Sequence, residues 1–203
     1  MLTSVMPTEG VWIKGPPQGQ WTYADWEQIE YDGNRYEVID GYLYMTTSPS
    51  NHHQWIISRL HKYFGLPAED RGLGYAYFAP IGVLMPGCDP VQPDLLFIRS
   101  ENVGIIADRC IRGVPDILIE IVSPGSQTYD EHVKLRAYEN AGVPEFAIIY
   151  PASRSVHVYR LNTDHRYDPP VQLSDRDPLA FVCLPGIVVS VSALFDGSPD
   201  DTI

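Results

Sequence analysis

Two acidic residues stand in segments that otherwise read as buried strands. Asp94 lies at the start of "PDLLFI", and Glu120 lies inside "DILIEIVS", an aliphatic run typical of a strand covered on both faces. An ionised carboxylate that is buried alone is so costly that it pairs, binds a metal or takes up a proton. Glu120 is therefore a candidate site residue, and a purely structural pair with a basic residue is the alternative.

The segment that follows Glu120 is predicted to be a helix. Thr128 and Glu131 have the spacing of a capping box at its start. Gly142, followed by Val143 and Pro144, is typical of a helix end. These signals predict a helix over about residues 129–141.

One side of this predicted helix carries Lys134. At about 100° per residue, Lys134 shares that side with Asp130, Ala137, Tyr138 and Ala141. We predict that this side packs on the sheet and that the ammonium of Lys134 reaches Glu120. The alternative is an exposed pair of Asp130 with Lys134, worth only a few tenths of a kcal/mol.

The other elements must position these residues. "RYEVIDGYLY" alternates about Asp40-Gly41 and predicts a hairpin. Ile56, Leu60 and Phe64 repeat at helical spacing and predict a helix that stops at Gly65. Further strands are predicted at "YAYFAPIGVLM", "EFAIIYP" and "SVHVYRL". This order predicts an α/β or α+β fold in which a mixed sheet is flanked by helices.

Composition limits the domain organisation and the class of partner. The 203 residues contain no evident linker, so residues 21–203 are predicted to form one domain after a loosely ordered arm, residues 1–20. The net charge of -12 argues against a protein that coats nucleic acid non-specifically. The chain has no long apolar stretch or apolar leader, which favours a cytoplasmic protein without a membrane span.

Taken together, these segments resemble a known family. "PDLLFI", "EIVSPGS", the residues Asp130, Lys134 and Tyr138, and "GVPEFAIIYP" occur in the order and spacing of the Uma-two family of restriction-endonuclease-like proteins. "RYEVIDGYLY" and the "HQ" of His53-Gln54 extend the resemblance, which runs from about Trp21 to Leu194. The family is part of the PD-(D/E)XK nuclease superfamily, so the resemblance implies a restriction-endonuclease-like core, here with an additional N-terminal hairpin.

The resemblance also implies roles for particular residues. Asp94 and Glu120 match the acidic residues that bind a divalent metal, and the backbone carbonyl of Ile121 could complete a site for Mg²⁺ or Mn²⁺. The superfamily lysine follows the Glu by two residues, where this chain has Val122. Lys134 would supply that ammonium from the following helix. Glu37 in "RYEVIDG" matches a further acidic residue that precedes the Asp.

Two functions from different classes are compatible with these features. The first is a magnesium-dependent endonuclease that cleaves DNA through Asp94, Glu120 and Lys134, assisted by Glu37. The second is a non-catalytic dimeric interaction module that keeps the nuclease fold. The acidic net charge favours the second function, whereas the combination of three acids with an inward lysine favours the first.

Three expectations depend less on these motifs. A homodimer is expected because double-strand cleavage needs two sites and because the N-terminal arm, with Trp12, could reach a neighbour. His52 and His53 are expected to be a solvated helix cap more often than a site. Tyr138 is expected to pack in the core, although it could form a hydrogen bond within the site.

Overall fold

The structure, a computed structural model, describes residues 13–46, 49–123 and 125–198. Its strands are, in chain order, β1 (Arg35–Ile39), β2 (Tyr42–Thr46), β3 (Gly74–Phe78), β4 (Gly82–Met85), β5 (Cys88–Val91), β6 (Leu95–Arg99), β7 (Cys110–Arg112), β8 (Ile117–Ile121), β9 (Glu145–Tyr150), β10 (Ser155–Arg160), β11 (Val171–Leu173), β12 (Pro178–Leu179) and β13 (Val189–Ser190).

The helical elements lie between these strands. The α-helices are α1 (Tyr23–Trp26), α2 (Asn51–Leu60), α3 (Leu66–Asp70) and α4 (Leu135–Ala141). A π-helical turn at His61–Gly65 joins α2 to α3, and another at Tyr129–Lys134 leads into α4. Short 3₁₀ helices occupy Ser100–Ile105 and Val191–Leu194.

The aliphatic strand β8 lies inside a six-stranded mixed sheet with the order β11-β10-β9-β8-β6-β3. It pairs parallel to β9 and antiparallel to β6. A second sheet, with the order β2-β1-β5-β4-β7, packs against one face of the central sheet. The prediction of a mixed sheet flanked by helices is therefore confirmed. The prediction of one strand over "YAYFAPIGVLM" was wrong, because this stretch forms two strands, β3 and β4, that lie in different sheets.

Two hydrophobic cores cover the two faces of the central sheet. On one face, Ile117 and Ile119 pack with Ile56 and Leu60 of α2. On the other face, Leu118 packs with residues of the second sheet and of α4. Because side chains alternate along a strand, Glu120 points towards the same side as Leu118, into the space between the sheet, α4 and the second sheet.

The N-terminal hairpin forms as predicted, because both residues of its turn adopt a left-handed backbone. Asp40 has φ 50° and Gly41 has φ 76°, which suits a tight two-residue turn. The segment before the hairpin, around Gln18 and Gly19, is hydrogen-bonded to it. Gln18 exchanges two hydrogen bonds with the backbone of Leu43, and the N–H of Gly19 donates to the carbonyl of Gly41. Residues 1–12, including Trp12, lie outside the described residues.

The helix predicted over about residues 129–141 is present, but the predicted helix end at Gly65 and the predicted cap at Thr128 were wrong. The first helix does not stop at Gly65, which has a helical φ of -59°; the chain continues through the π-helical turn into α3. An added Cβ at Gly65 would lie 2.5 Å from Nδ1 of His61 and 3.1 Å from Cβ of Ala76, so this glycine permits close packing on β3. Thr128 has a helical backbone and makes no side-chain cap, and Glu131 instead accepts a hydrogen bond from Gln127.

No helix in the described ranges combines the length and the apolar character needed to cross a lipid bilayer.

Candidate active site

The ammonium of Lys134 lies within a buried acidic cluster. Its Nζ atom is 3.0 Å from Oε1 of Glu120, 3.2 Å from Oε2 of Glu37 and 3.9 Å from Oδ1 of Asp130. Each of these four residues is at most 3% exposed. The predicted contact of Lys134 with Glu120 is therefore present. Asp130 and Lys134 are both buried, so the alternative of an exposed ion pair between them was wrong.

The members of this cluster come from separate layers of the fold. Glu120 extends from β8 of the central sheet, whereas Glu37 extends from β1 of the second sheet, on the same side as the core residue Ile39. Lys134 extends from the π-helical turn before α4. The buried side of this helix contains Asp130, Ala137, Tyr138 and Ala141, as predicted, and also Tyr129.

Neutral donors hold the two glutamates in place. The hydroxyl of Tyr138 donates to Oε1 of Glu120 at 2.6 Å. The hydroxyl of Tyr129 donates to Oε2 of Glu37 at 3.1 Å, and the backbone N–H of Gln92 donates to Oε1 of Glu37. Hydrogen bonds to a carboxylate from fixed donors limit its movement and offset part of its desolvation.

Asp94 lies beside the cluster but has different partners. Leu95 of β6 pairs with Ile119 of β8, so one further antiparallel pair places Asp94 opposite Glu120 on the same face. The backbone N–H of Ile121 and Nε2 of His53 each lie 2.9 Å from Oδ2 of Asp94. The guanidinium of Arg35 is 3.4 Å from the other oxygen, Oδ1.

The protonation of these groups follows from burial and mutual charge. Burial by itself would lower the pKa of Lys134, but the surrounding carboxylates raise it and keep the amine charged. Burial raises the pKa of Glu120 well above its usual range, with Lys134 opposing the shift, and raises the pKa of Asp130 to about 6. Burial would also raise the pKa of Asp94, but the hydrogen bond from His53 helps to hold it below its usual value. The cluster thus contains more negative charge, when its carboxylates are ionised, than the single ammonium of Lys134 can neutralise.

The cluster opens into a cleft of about 1160 Å³. Asp94, Glu120, Asp130 and Lys134 line this cleft, together with Arg35 and the start of α2. Elsewhere its described lining is mostly neutral and includes several serine residues. The cleft is therefore neither a basic groove nor a uniformly acidic one.

The fit of a divalent metal can be judged from the donors alone. Within the described parts of the chain, no three or more Asp, Glu, His or Cys side chains form a ready-made ligand cluster. However, Asp94 and Glu120 face each other across adjacent strands, and both Lys134 and Tyr138 contact the same oxygen of Glu120, Oε1. Oxygen donors with an excess of negative charge fit Mg²⁺ or Mn²⁺.

Comparison with known proteins places the chain in a family. The sequence profile of the Uma2 family, whose description is "Putative restriction endonuclease", matches residues 22–192. The chain belongs to the Uma2 family. No curated protein matches the chain.

A solved structure has the same fold as this Uma2 family member. It is described as a putative nuclease of the DUF820 group from Anabaena variabilis ATCC 29413. The TM-score is 0.72 at 18% identity, and the alignment covers 86% of this chain and 97% of the other. At this identity, the likeness shows the fold alone.

The structure brings together the residues that sequence reasoning selected. Glu37, Glu120 and Lys134 are in contact, and Asp94 and Ile121 are joined by a hydrogen bond.

Sequence reasoning missed several neighbours of the cluster. Arg35 and His53 contact Asp94, and Tyr129 contacts Glu37. Tyr138 packs as expected, and its hydroxyl also forms the hydrogen bond within the site that the sequence had left open, to Glu120. The expectation of a solvated cap was wrong for His53, which is buried. The adjacent histidines at a predicted helix start were a usable signal for His53, whereas the sequence near Arg35 carried none.

Proposed function

We propose that this protein is a metal-dependent endonuclease that hydrolyses phosphodiester bonds in DNA. The observation that carries the proposal is the position of Lys134, whose Nζ atom lies 3.0 Å from Glu120. A nuclease site of this kind needs an ammonium beside the metal-binding carboxylates, and the lysine reaches this point from the following helix. Membership of the Uma2 family supports a nuclease function.

Asp94, Glu120 and the backbone carbonyl of Ile121 would hold Mg²⁺ or Mn²⁺. Asp94 and Glu120 are the acids that face each other across β6 and β8, and all three residues line the cleft. When bound, the metal would lower the pKa of a coordinated water and neutralise charge on the scissile phosphate.

The remaining groups would act on charge and orientation. Lys134 would donate hydrogen bonds to the attacking water or to the phosphoryl oxygens, where negative charge develops in the transition state. Glu37 would position Lys134, because it contacts the ammonium. Tyr138 would position Glu120, because its hydroxyl donates a hydrogen bond to that carboxylate. The cluster is buried, so these interactions are screened less than they would be in water.

Cleavage assays with matched variants test this proposal. We expect wild-type protein to cut DNA with Mg²⁺ or Mn²⁺ and to lose that activity in EDTA. Asp94→Asn and Glu120→Gln should abolish both cleavage and metal binding, since each removes a ligand charge. Lys134→Met should retain metal binding but lose roughly 10²-fold or more in rate.

Arg136→Met is the matched control, because Arg136 is exposed on α4 and does not line the cleft. It should cut at the wild-type rate. Unchanged cleavage by Lys134→Met would remove Lys134 from the mechanism. Absence of both metal binding and cleavage across single-stranded and duplex DNA would refute the nuclease proposal.

A double variant tests whether Lys134 replaces the lysine expected after the Glu. Val122 lies two residues beyond Glu120 and lines the same cleft. Val122→Lys in the Lys134→Met background should therefore restore part of the lost rate. No recovery, in a variant that unfolds like its parent, would show that the two side chains do not reach the same point.

The second candidate is a non-catalytic interaction module. The net charge of -12 favours it, because duplex DNA repels an acidic surface. A wild-type protein that binds no divalent metal but captures a protein ligand in the cleft would support this candidate over the nuclease.

We further propose that the protein acts as a homodimer, because cleavage of both DNA strands needs two sites. Light scattering coupled to size-exclusion chromatography should give twice the monomer mass at micromolar concentration. A monomer mass under those conditions would contradict the proposal.

A further inference from the structure

Arg35 has a guanidinium that the protein uses only in part. Its NH1 atom is 3.4 Å from Oδ1 of Asp94, which is long for a hydrogen bond. Its buried Nε atom has no hydrogen-bond partner among the residues that the structure describes. A buried donor without an acceptor costs roughly 1–3 kcal/mol. Because the side chain as a whole is 23% exposed and lines the cleft, a ligand in the cleft can contact the guanidinium.

The first turn of α2 faces the same cleft. Ser50 is the N-cap, and both Ser50 and His52 line the cleft. The Ser50 hydroxyl accepts the N–H of His53, whereas the N–H groups of Asn51 and His52 have no partner inside the helix. No acidic residue occupies this turn, so the partial positive charge of the helix start is not neutralised locally.

His53 provides an independent indication of a ligand. Its side chain is only 8% exposed and lines the cleft. The Nε2 atom contacts Asp94, but the buried Nδ1 atom has no partner within the described ranges. Buried polar atoms are nearly always paired, so an unpaired one beside a cleft indicates a missing group.

We propose that Arg35 and the first turn of α2 form a subsite for a phosphate group. The proposal rests on the nuclease function and extends it to substrate binding. A guanidinium binds phosphate through two parallel hydrogen bonds, and free N–H groups at a helix start bind the same anion. Arg35 lies beside Asp94 whereas Lys134 lies beside Glu120 and Glu37, so the subsite is on the Asp94 side of the cleft.

Two sources could provide this phosphate. It could belong to the backbone of a nucleic acid strand or to a small phosphodiester. Both would place an anion with oxygen acceptors beside Arg35, so the source must be distinguished by the test.

The test measures binding in EDTA, so that cleavage does not interfere. A fluorescein-labelled oligonucleotide is titrated with wild-type protein, Arg35→Met, Arg35→Lys and the exposed control Arg136→Met. Arg35→Met should weaken binding roughly tenfold and reduce the slope of log affinity against log salt by about 0.7–0.9, the value for one lost phosphate contact. Arg35→Lys should retain the salt dependence but not the full affinity, because lysine keeps the positive charge but cannot donate two parallel hydrogen bonds to one phosphate. Arg136→Met should match the wild type.

Proton NMR with inorganic phosphate tests the subsite without nucleic acid. The ring signals of His52 and His53 should shift on titration in the wild type and not in Arg35→Met. Bis(4-nitrophenyl) phosphate that competes with the oligonucleotide at similar concentration would identify a small phosphodiester, whereas failure to compete would identify the strand. Absence of both oligonucleotide binding and histidine shifts would overturn the subsite.

Failure of the phosphate subsite and failure of the nuclease function give different results in these experiments. If Arg35→Met weakens binding but the wild type never cleaves DNA, the subsite stands and the nuclease fails. If cleavage is metal-dependent and Arg35→Met changes neither KM nor binding, the nuclease stands and the subsite fails.

Discussion

Lys134 is the residue on which both the stability and the chemistry of the cluster depend. Its ammonium lies within 4 Å of three buried carboxylates, from Glu37, Glu120 and Asp130. Removing one partner of a buried charge pair generally costs about 3–5 kcal/mol, because the remaining charge is left without compensation. Activity measurements on Lys134 variants therefore need a parallel measurement of unfolding.

Asp130 should make the stability of the metal-free protein depend on pH. Burial raises its pKa to about 6, so the folded state binds this proton more tightly than the unfolded state. The stabilising contribution is complete below the unfolded pKa of about 3.9 and is lost as the pH rises through about 6. Asp130→Asn removes this titration, so its stability relative to wild type should rise by roughly 2 kcal/mol between pH 4 and 7.5.

Urea unfolding in EDTA at several pH values measures this difference. A stability difference between Asp130→Asn and wild type that stays constant over the whole pH range would contradict the prediction.

His53 should position Asp94 for metal binding. Its Nε2 atom and the backbone N–H of Ile121 both contact Oδ2 of Asp94, and among the described residues Oδ1 has only the long contact to Arg35. Loss of such an outer partner typically weakens metal affinity by about 10–100-fold. We expect His53→Ala to show that loss in Mn²⁺ calorimetry, and His53→Gln, which retains a donor, to recover part of it.

His52→Ala is the control for His53, because His52 lines the cleft without a side-chain bond to Asp94. Its Mn²⁺ affinity should equal that of the wild type. An equal loss in His52→Ala and His53→Ala would mean that the effect is not specific to Asp94.

At the scale of elements, the π-helical turn before α4 explains which groups meet. In this turn, hydrogen bonds join residues five apart, so Tyr129 and Lys134 lie near each other along one side. Nζ of Lys134 is 5.3 Å from the centre of the Tyr129 ring, and both side chains contact Glu37. A regular helical wheel placed Lys134 correctly but gave no reason to include Tyr129.

Gly65, at the end of the π-helical turn that joins α2 to α3, allows this helical segment to pack closely on β3. Alanine in a helix is normally more stable than glycine by about 1 kcal/mol. At position 65, however, the Cβ of alanine would lie 2.5 Å from the His61 ring. We expect Gly65→Ala to destabilise the protein by roughly 1–3 kcal/mol in thermal unfolding, as overpacked cores do. Gly104→Ala, at a glycine where an added Cβ would have no described atom within 4 Å, should change stability by less than about 0.5 kcal/mol.

Equal stabilities for these two alanine variants would contradict the packing argument. A stabilised Gly65→Ala would show that helical propensity outweighs the contact with His61.

At the scale of the whole molecule, the excess of buried carboxylate should couple folding to divalent cations. A ligand that binds only the folded state at ten times its dissociation constant stabilises it by about 1.4 kcal/mol. For a chain of this length, that corresponds to a rise of about 3–6 °C in Tm. We expect Mg²⁺ to produce this rise in the wild type and EDTA to reverse it.

Glu120→Gln should lose most of the shift in Tm, because it removes one ligand charge. Sodium chloride at matched ionic strength serves as the control for screening. The same shift in Glu120→Gln as in wild type would place the cation elsewhere.

The sequence by itself determined the local features of this protein. The left-handed pair Asp40-Gly41 fixed the hairpin, because the turn depends on the backbone of only two residues. Helical periodicity identified the buried side that contains Lys134, since the chain alone sets which residues share a side. Local signals failed at Gly65, where the packing against β3 accompanies a helix that continues, and at Thr128, whose predicted side-chain cap does not form.

Only the tertiary structure decided which distant residues share a site. Glu37 meets Lys134 because the second sheet packs over α4, and His53 meets Asp94 because α2 begins beside the end of β8 and the start of β6. The sequence could mark Glu37 and His53 as candidates, but not these contacts, because each contact joins elements far apart in the sequence. Such contacts depend on the order of strands and the packing of layers, which minimise exposed apolar surface over the whole chain rather than within one segment.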